Sequence, residues 1–183
     1  MFENIFVGES GVFDYNAYFY NITKINLAMS TFIGNIEAKV DVKGRVFIPA
    51  SYRKLLSFPE RSVVVMRKDP DNNCLVIYPV NVWEQKLNEL KSTLDEWNEQ
   101  DQLILMQFVS DAEWLDVDAQ GRVLIQKKYL QQIGVESDVL FVGSIDRFSV
   151  WSKSVYETAK LPSADFARLL REKMSRKSEP LNE

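Results

Sequence analysis

Two short stretches carry the chemistry of this sequence. Asp41-Val-Lys-Gly-Arg45 and Asp118-Ala-Gln-Gly-Arg122 each set a carboxylate four residues before a guanidinium, across a glycine. This spacing supports two kinds of chemistry. The Asp can pair with the Arg and close a turn. The Arg, at a junction between turn and strand, can also reach a phosphate or the O6/N7 edge of guanine with two parallel hydrogen bonds. The surroundings of the two copies differ. Lys39, Lys43, Arg53 and Lys54 accompany the first. Gln120 stands where the first has Lys43, and Glu113 and Asp116 precede the second, with Lys127 and Lys128 after it.

What is missing narrows the function further. The 183 residues include no histidine and one cysteine, Cys74. Ser-His-Asp and Cys-His catalysis and His-bearing metal sites are therefore excluded, as is a disulfide framework. There is no phosphate-binding Gly-rich loop. No catalytic constellation, metal site or cofactor is expected. No apolar run approaches the roughly 20 residues that span a bilayer, and Met-Phe-Glu-Asn lacks a positive leader region. The composition reads as that of a cytoplasmic protein. The net charge is −4, with 22 Lys+Arg against 26 Asp+Glu. An acidic total is a poor sign for nucleic-acid binding. Residues 35–80, however, hold eight basic and five acidic side chains. A local patch, not the total, makes a phosphate contact.

The two motifs belong to an internal repeat. Residues 40–56, VDVKGRVFIPASYRKLL, and 117–133, VDAQGRVLIQKKYLQQI, match at seven of seventeen positions with an offset of 77. Each copy predicts the order β-β-α-β-β. Ile36–Val40 and Val46–Ile48 favour strands, and Gly44 and Gly121 sit where a tight turn needs positive φ. Pro49 suits the start of a short helix. Gly134 suits the C′ position of its counterpart. Tyr52 and Tyr129 read as core. Further strands are predicted at 63–67 and 75–78, then at 139–142 and 148–151. Such a unit is too small to close a core alone. Between the copies, Asn81 is a candidate cap, and Trp83, Leu87, Leu90 and Leu94 follow an amphipathic helical spacing. A second helix is predicted over 99–109 and a third from Ser163.

The expected organisation is thus a unit at 35–82, a helical linker at 83–110, a second unit at 112–155, and a C-terminal helix and tail at 158–183. Residues 1–28 match neither unit and carry seven aromatics. They read as a disordered arm or an upstream-extended start, with Met29 as the natural first residue.

The doubled Asp-x-x-x-Arg motif, its spacing and the intervening helices resemble the MraZ family, bacterial regulators with two tandem AbrB-like units, over about residues 30–157. The resemblance implies an α+β fold in which the two units interlock as swapped hairpins into a β-barrel-like body with flanking helices. It implies assembly into ring-like homo-oligomers, through head-to-tail contacts. It also implies sequence-specific binding of double-stranded DNA, on tandem repeats upstream of the division and cell-wall gene cluster, and so a nucleoid-associated protein. On this reading the DNA-binding candidates are Arg45 first, then Lys43, Arg53, Lys39 and Arg122. Asp41, Gly44, Asp118 and Gly121 shape the turns. The competing expectation is a protein-interaction or scaffold barrel without DNA contact. A scaffold has no need for Lys39, Lys43, Arg45 and Arg53 near one turn.

Overall fold

The computed structural model describes residues 31–56 and 62–176. The N-terminal segment 1–28, and with it the expectation of a start at Met29, lies outside the described residues.

The first copy forms β1 (Asn35–Lys39), β2 (Arg45–Phe47), α1 (Ala50–Arg53), β3 (Val63–Lys68) and β4 (Leu75–Pro79). Two helices follow, α2 (Val80–Thr93) and α3 (Glu99–Ser110). The second copy forms β5 (Ala112–Asp116), β6 (Arg122–Leu124), α4 (Lys127–Gln132), β7 (Asp138–Ser144) and β8 (Arg147–Trp151). Helices α5 (Lys153–Ala159) and α6 (Ser163–Arg176) end the described chain. The predicted β-β-α-β-β order holds in both copies, with boundaries shifted by a residue or two. One cap differs from expectation. Helix α2 starts directly after Pro79, whose fixed φ suits a helix entry, and Asn81 lies inside it. Asn98, not foreseen, caps α3 by accepting hydrogen bonds from the backbone N–H of Gln100 and Asp101.

The strands pair between copies. One antiparallel sheet runs β1-β7-β8-β4-β3-β5, and a two-stranded ribbon joins β2 to β6. Each first-copy strand thereby has a second-copy neighbour: β1 with β7, β2 with β6, β3 with β5 and β4 with β8. The two units are interleaved in one body. Among the described residues no sheet closes into the expected barrel-like body, and this corrects the sequence reading. The sheet ends at β1 and β5, and an isolated bridge joins Val40, the residue after β1, to Val46 of the ribbon. Strands of three residues are too short to carry a ladder around both edges, so sheet and ribbon stay separate.

The sheet is apolar on both faces, which explains the unbroken apolar runs of β3 and β4. Val64, Met66, Leu75 and Ile77 point into one core, with Val46, Val123, Tyr52, Phe141, Phe148 and Ile133. Their neighbours Val65, Val76 and Tyr78 point into a second, under Trp83 of α2. Alternation of successive side chains across a strand requires this split. The first core holds the ribbon and both short helices against the sheet. The Tyr52 hydroxyl donates to the Gly34 carbonyl at 2.7 Å.

Glycines at the turns provide a test of this packing. Gly34 and Gly44 both have positive φ, +87° and +90°. A Cβ at Gly34 would enter open space, whereas at Gly44 it would collide with the backbone carbonyl of Ile125 in the other copy. Gly34→Ala should cost about 1 kcal/mol, the strain of the conformation. Gly44→Ala should cost roughly 3 kcal/mol or more, because two backbones must separate. Urea unfolding of the two variants checks the difference.

Candidate nucleic-acid interface

The ribbon and its two turns form one surface. In each motif the carboxylate does two jobs. Asp41 Oδ1 accepts from the backbone N–H of Lys43 and of Arg45, both at 2.9 Å. Its Oδ2 accepts from Arg45 Nε at 2.7 Å and pairs with NH2 at 2.6 Å. Asp118 repeats this pattern with Gln120 and Arg122. Gly44 and Gly121, at φ +90° and +81°, let the chain reverse in so few residues. Each turn thus combines an Asp–Arg ion pair with a glycine at positive φ.

The backbone then fixes how the arginines are presented. In the register, Arg45 faces Leu124, Val46 faces Val123 and Phe47 faces Arg122. Val46 and Val123 are buried at 0% and 2% exposure, so the residues on either side point outward. The outer face thus carries two guanidiniums and two apolar side chains. Each turn is also tied to the other copy. The Gly44 carbonyl accepts from Ile125 N–H at 2.9 Å, and the Gly121 carbonyl from Ile48 N–H at 3.0 Å. One motif turn therefore lies at each end of the ribbon.

A guanidinium has five N–H donors. With Nε and one NH2 hydrogen on the aspartate, NH1 and the second NH2 hydrogen remain for a bidentate acceptor. Phosphate and the guanine major-groove edge both fit that fork. The backbone amide and Arg45 hydrogen bonds pull the Asp41 carboxyl down to about 2. The Arg122 and backbone bonds lower Asp118 in the same way. Both carboxylates stay charged at neutral pH, and both arginines stay oriented.

The other candidates take different places. Lys43 projects from the first turn and is exposed, with no ion pair among the described residues. Lys39, at the end of β1, is exposed and lies 3.6 Å from Asp138. Arg53 does not sit with them. It crosses to the second turn, where NH1 donates to the Gln120 carbonyl at 3.0 Å and the guanidinium fills the space a Cβ on Gly121 would need. Its Nε is buried without a hydrogen-bond partner. Arg53 thus supports the second turn. The acidic setting of Arg122 is partly answered within the fold, since Glu113 accepts from Tyr129 at 2.7 Å and pairs with Lys128 at 3.4 Å. Tyr52 is core, but Tyr129 is only half-buried.

Three neighbours join this surface beyond the sequence candidates. Lys127, from the second copy, lines the cleft beside the first turn together with Asp41, Val42 and Gly44. Phe47 and Leu124 face outward beside the arginines, a placement the strand alternation of Arg-Val-Phe and Arg-Val-Leu could have shown.

Nothing on this surface resembles a catalytic centre. Cys74 is buried away from it, and desolvation pushes its thiol up to about 12. Among the described residues no group of three or more His, Cys, Asp or Glu could hold a metal ion. No helix there is long and apolar enough to cross a membrane.

Comparison with known proteins agrees with the doubled motif. The family model described as "MraZ protein, putative antitoxin-like" matches twice, over residues 31–105 and 108–176. The chain belongs to the MraZ family. Curated members named Transcriptional regulator MraZ are similar over most of their length. The protein from Bacteroides fragilis is 44% identical over 154 residues, covering 84% of this chain and 98% of the relative. That from Phocaeicola vulgatus is 44% identical over 143 residues, covering 78% and 93%. The Rhodospirillum rubrum protein is 33% identical over 133 residues, covering 72% and 86%. The MraZ family is one of transcriptional regulators, not enzymes.

The depressed carboxyl of Asp41 has a pH consequence. A group whose folded pKa lies below its unfolded value of about 3.9 stabilises the fold above that value and loses the contribution as pH falls toward the folded pKa. The motif turns should therefore lose stability between about pH 4 and about pH 2. Asp41→Asn should flatten that part of the profile and leave its slope above about pH 5 unchanged. Urea midpoints across pH provide the measurement.

Proposed function

We propose that this protein is a DNA-binding transcriptional regulator that lays the β2–β6 ribbon along the major groove of duplex DNA. The observation that carries the reading is the pair of outward arginines, each oriented by its own aspartate on adjacent strands. Two paired strands are about 5 Å apart. A major groove about 12 Å wide accepts such a ribbon. Arg45 is the principal contact, to guanine or phosphate. Lys43 adds phosphate attraction at the first turn, and Lys39 lies behind it. Arg122 is the corresponding, weaker contact at the other end. Arg53 acts chiefly by holding the second turn. The working division into units at 35–82 and 112–155, a linker at 83–110 and a tail from 158 keeps both contact turns within units.

The family resemblance supplies the finer target: tandem repeats upstream of the division and cell-wall gene cluster, read by a nucleoid-associated protein in the cytoplasm. It also supplies a ring-like homo-oligomer. Apolar side chains left exposed support assembly, Leu103, Met106 and Val109 on α3 and Phe166, Leu170 and Met174 on α6. Several weak ribbon contacts on consecutive repeats then gain affinity through effective concentration.

Fluorescence anisotropy with DNA from upstream of the protein's own gene tests the contact. Arg45→Ala should weaken binding by at least about tenfold, the scale of one bidentate contact. Lys43→Ala should lower the salt slope by about 0.9. Equal, weak binding by wild type and Arg45→Ala, with no steep salt dependence, would point instead to a protein partner. Light scattering tests assembly: the mass should be a multiple of the single chain, and Leu103→Glu with Phe166→Glu should reduce it.

A further inference from the structure

We infer that Phe47 and Leu124 are specificity-determining residues of the ribbon and that each packs on the 5-methyl group of a thymine. This rests on the proposed placement of the ribbon in the major groove and adds what it reads there beyond guanine.

The outer face of the ribbon has four side chains, Arg45 and Phe47 on β2 and Arg122 and Leu124 on β6. Both apolar residues are 52% exposed, although the valines between the arginines and them are buried. Single exposed apolar residues are ordinary. Here half of a short exposed ribbon is apolar, and each apolar residue lies opposite an arginine in the register. The Arg122 guanidinium sits 5.7 Å from the Phe47 ring centre. A solvated ribbon would favour Thr, Lys or Glu at these positions. Water gains nothing from Phe47 and Leu124.

The major groove offers one apolar group, the thymine methyl. Guanine and phosphate satisfy the guanidiniums, but neither gives a phenyl ring or an isobutyl group a favourable surface. An alternating Arg and apolar face therefore matches guanine with thymine as a near neighbour. The two ends also differ, with Phe47 larger than Leu124 and Lys43 opposed by Gln120 in the repeat. The two thymine contacts are correspondingly unequal.

The test uses the full-length protein and a duplex it selects from a randomised pool. Each thymine is replaced singly by uracil, which removes only the methyl, and binding is read by anisotropy. At one or more thymines, the loss should be about fourfold, the worth of burying one carbon. Phe47→Ser or Leu124→Ser, checked for unchanged thermal unfolding, should abolish the penalty at its own thymine and leave the other intact. If Phe47→Ser unfolds the chain, Phe47→Leu serves, with a reduced penalty expected. The inference is overturned if no thymine is sensitive, if the penalty survives in both variants, or if no sequence is enriched. In the first two cases, loss of binding by Arg45→Ala would leave the ribbon contact standing. Unchanged binding by Arg45→Ala would sink the ribbon contact itself.

Discussion

Val46 against Val123 is the contact on which the rest depends. A three-residue strand gains too few hydrogen bonds to offset the entropy of ordering it. Pairing with its counterpart in the other copy, and burying both valines over the first core, makes the ribbon possible. Burial of the central residue then sets the direction of its neighbours without further choice. A one-residue slip in this register would bury the arginines and expose the valines. The same constraint explains why the sequence is duplicated: one copy contributes one strand, and one strand has no partner.

The aspartates convert that backbone arrangement into a presented charge. Each binds two backbone N–H groups with one oxygen and the arginine with the other. An exposed ion pair contributes little to stability. Its value here lies in reducing the freedom of a long side chain before any ligand arrives, which lowers the ordering cost on binding. The pair also leaves the guanidinium edge formed by NH1 and NH2 open. Structural and binding roles are thus compatible in one residue, because the aspartate and a bidentate acceptor take different donors.

Local features were legible in the sequence. The repeat at offset 77, the positive φ at Gly44 and Gly121, the Asp–Arg closure and the order of elements follow from residue type and spacing alone. Features that depend on pairing across the copies were not. Arg53 follows the first turn by eight residues, yet it braces the second. Lys127 belongs to the second copy and borders the first turn. The barrel expectation failed for a related reason. Closure depends on how far two ladders extend, and strand length at the β1–β2 junction is decided by the turn geometry at Asp41, not by β-propensity. Asn98 is a local cap, one residue before a helix whose span the sequence predicts, so its role was within reach of the sequence.

The two copies are related in backbone and unequal in chemistry, and the inequality has a direction. Lys43 faces solvent at one end of the ribbon, where Gln120 stands at the other. Arg53 fills the space beneath the second turn, while its repeat counterpart Leu130 is apolar and leaves a cleft beneath the first. One turn is therefore braced and weakly charged, and the other is open and basic. A symmetric ribbon would bind an inverted repeat equally well in either orientation. In the proposed groove contact an unequal one would distinguish the two directions along a duplex, since reversing it exchanges Lys43 with Gln120 and Phe47 with Leu124. Under the proposed function, direct repeats, each bound in the same sense, are the arrangement such a face would use if several copies acted together.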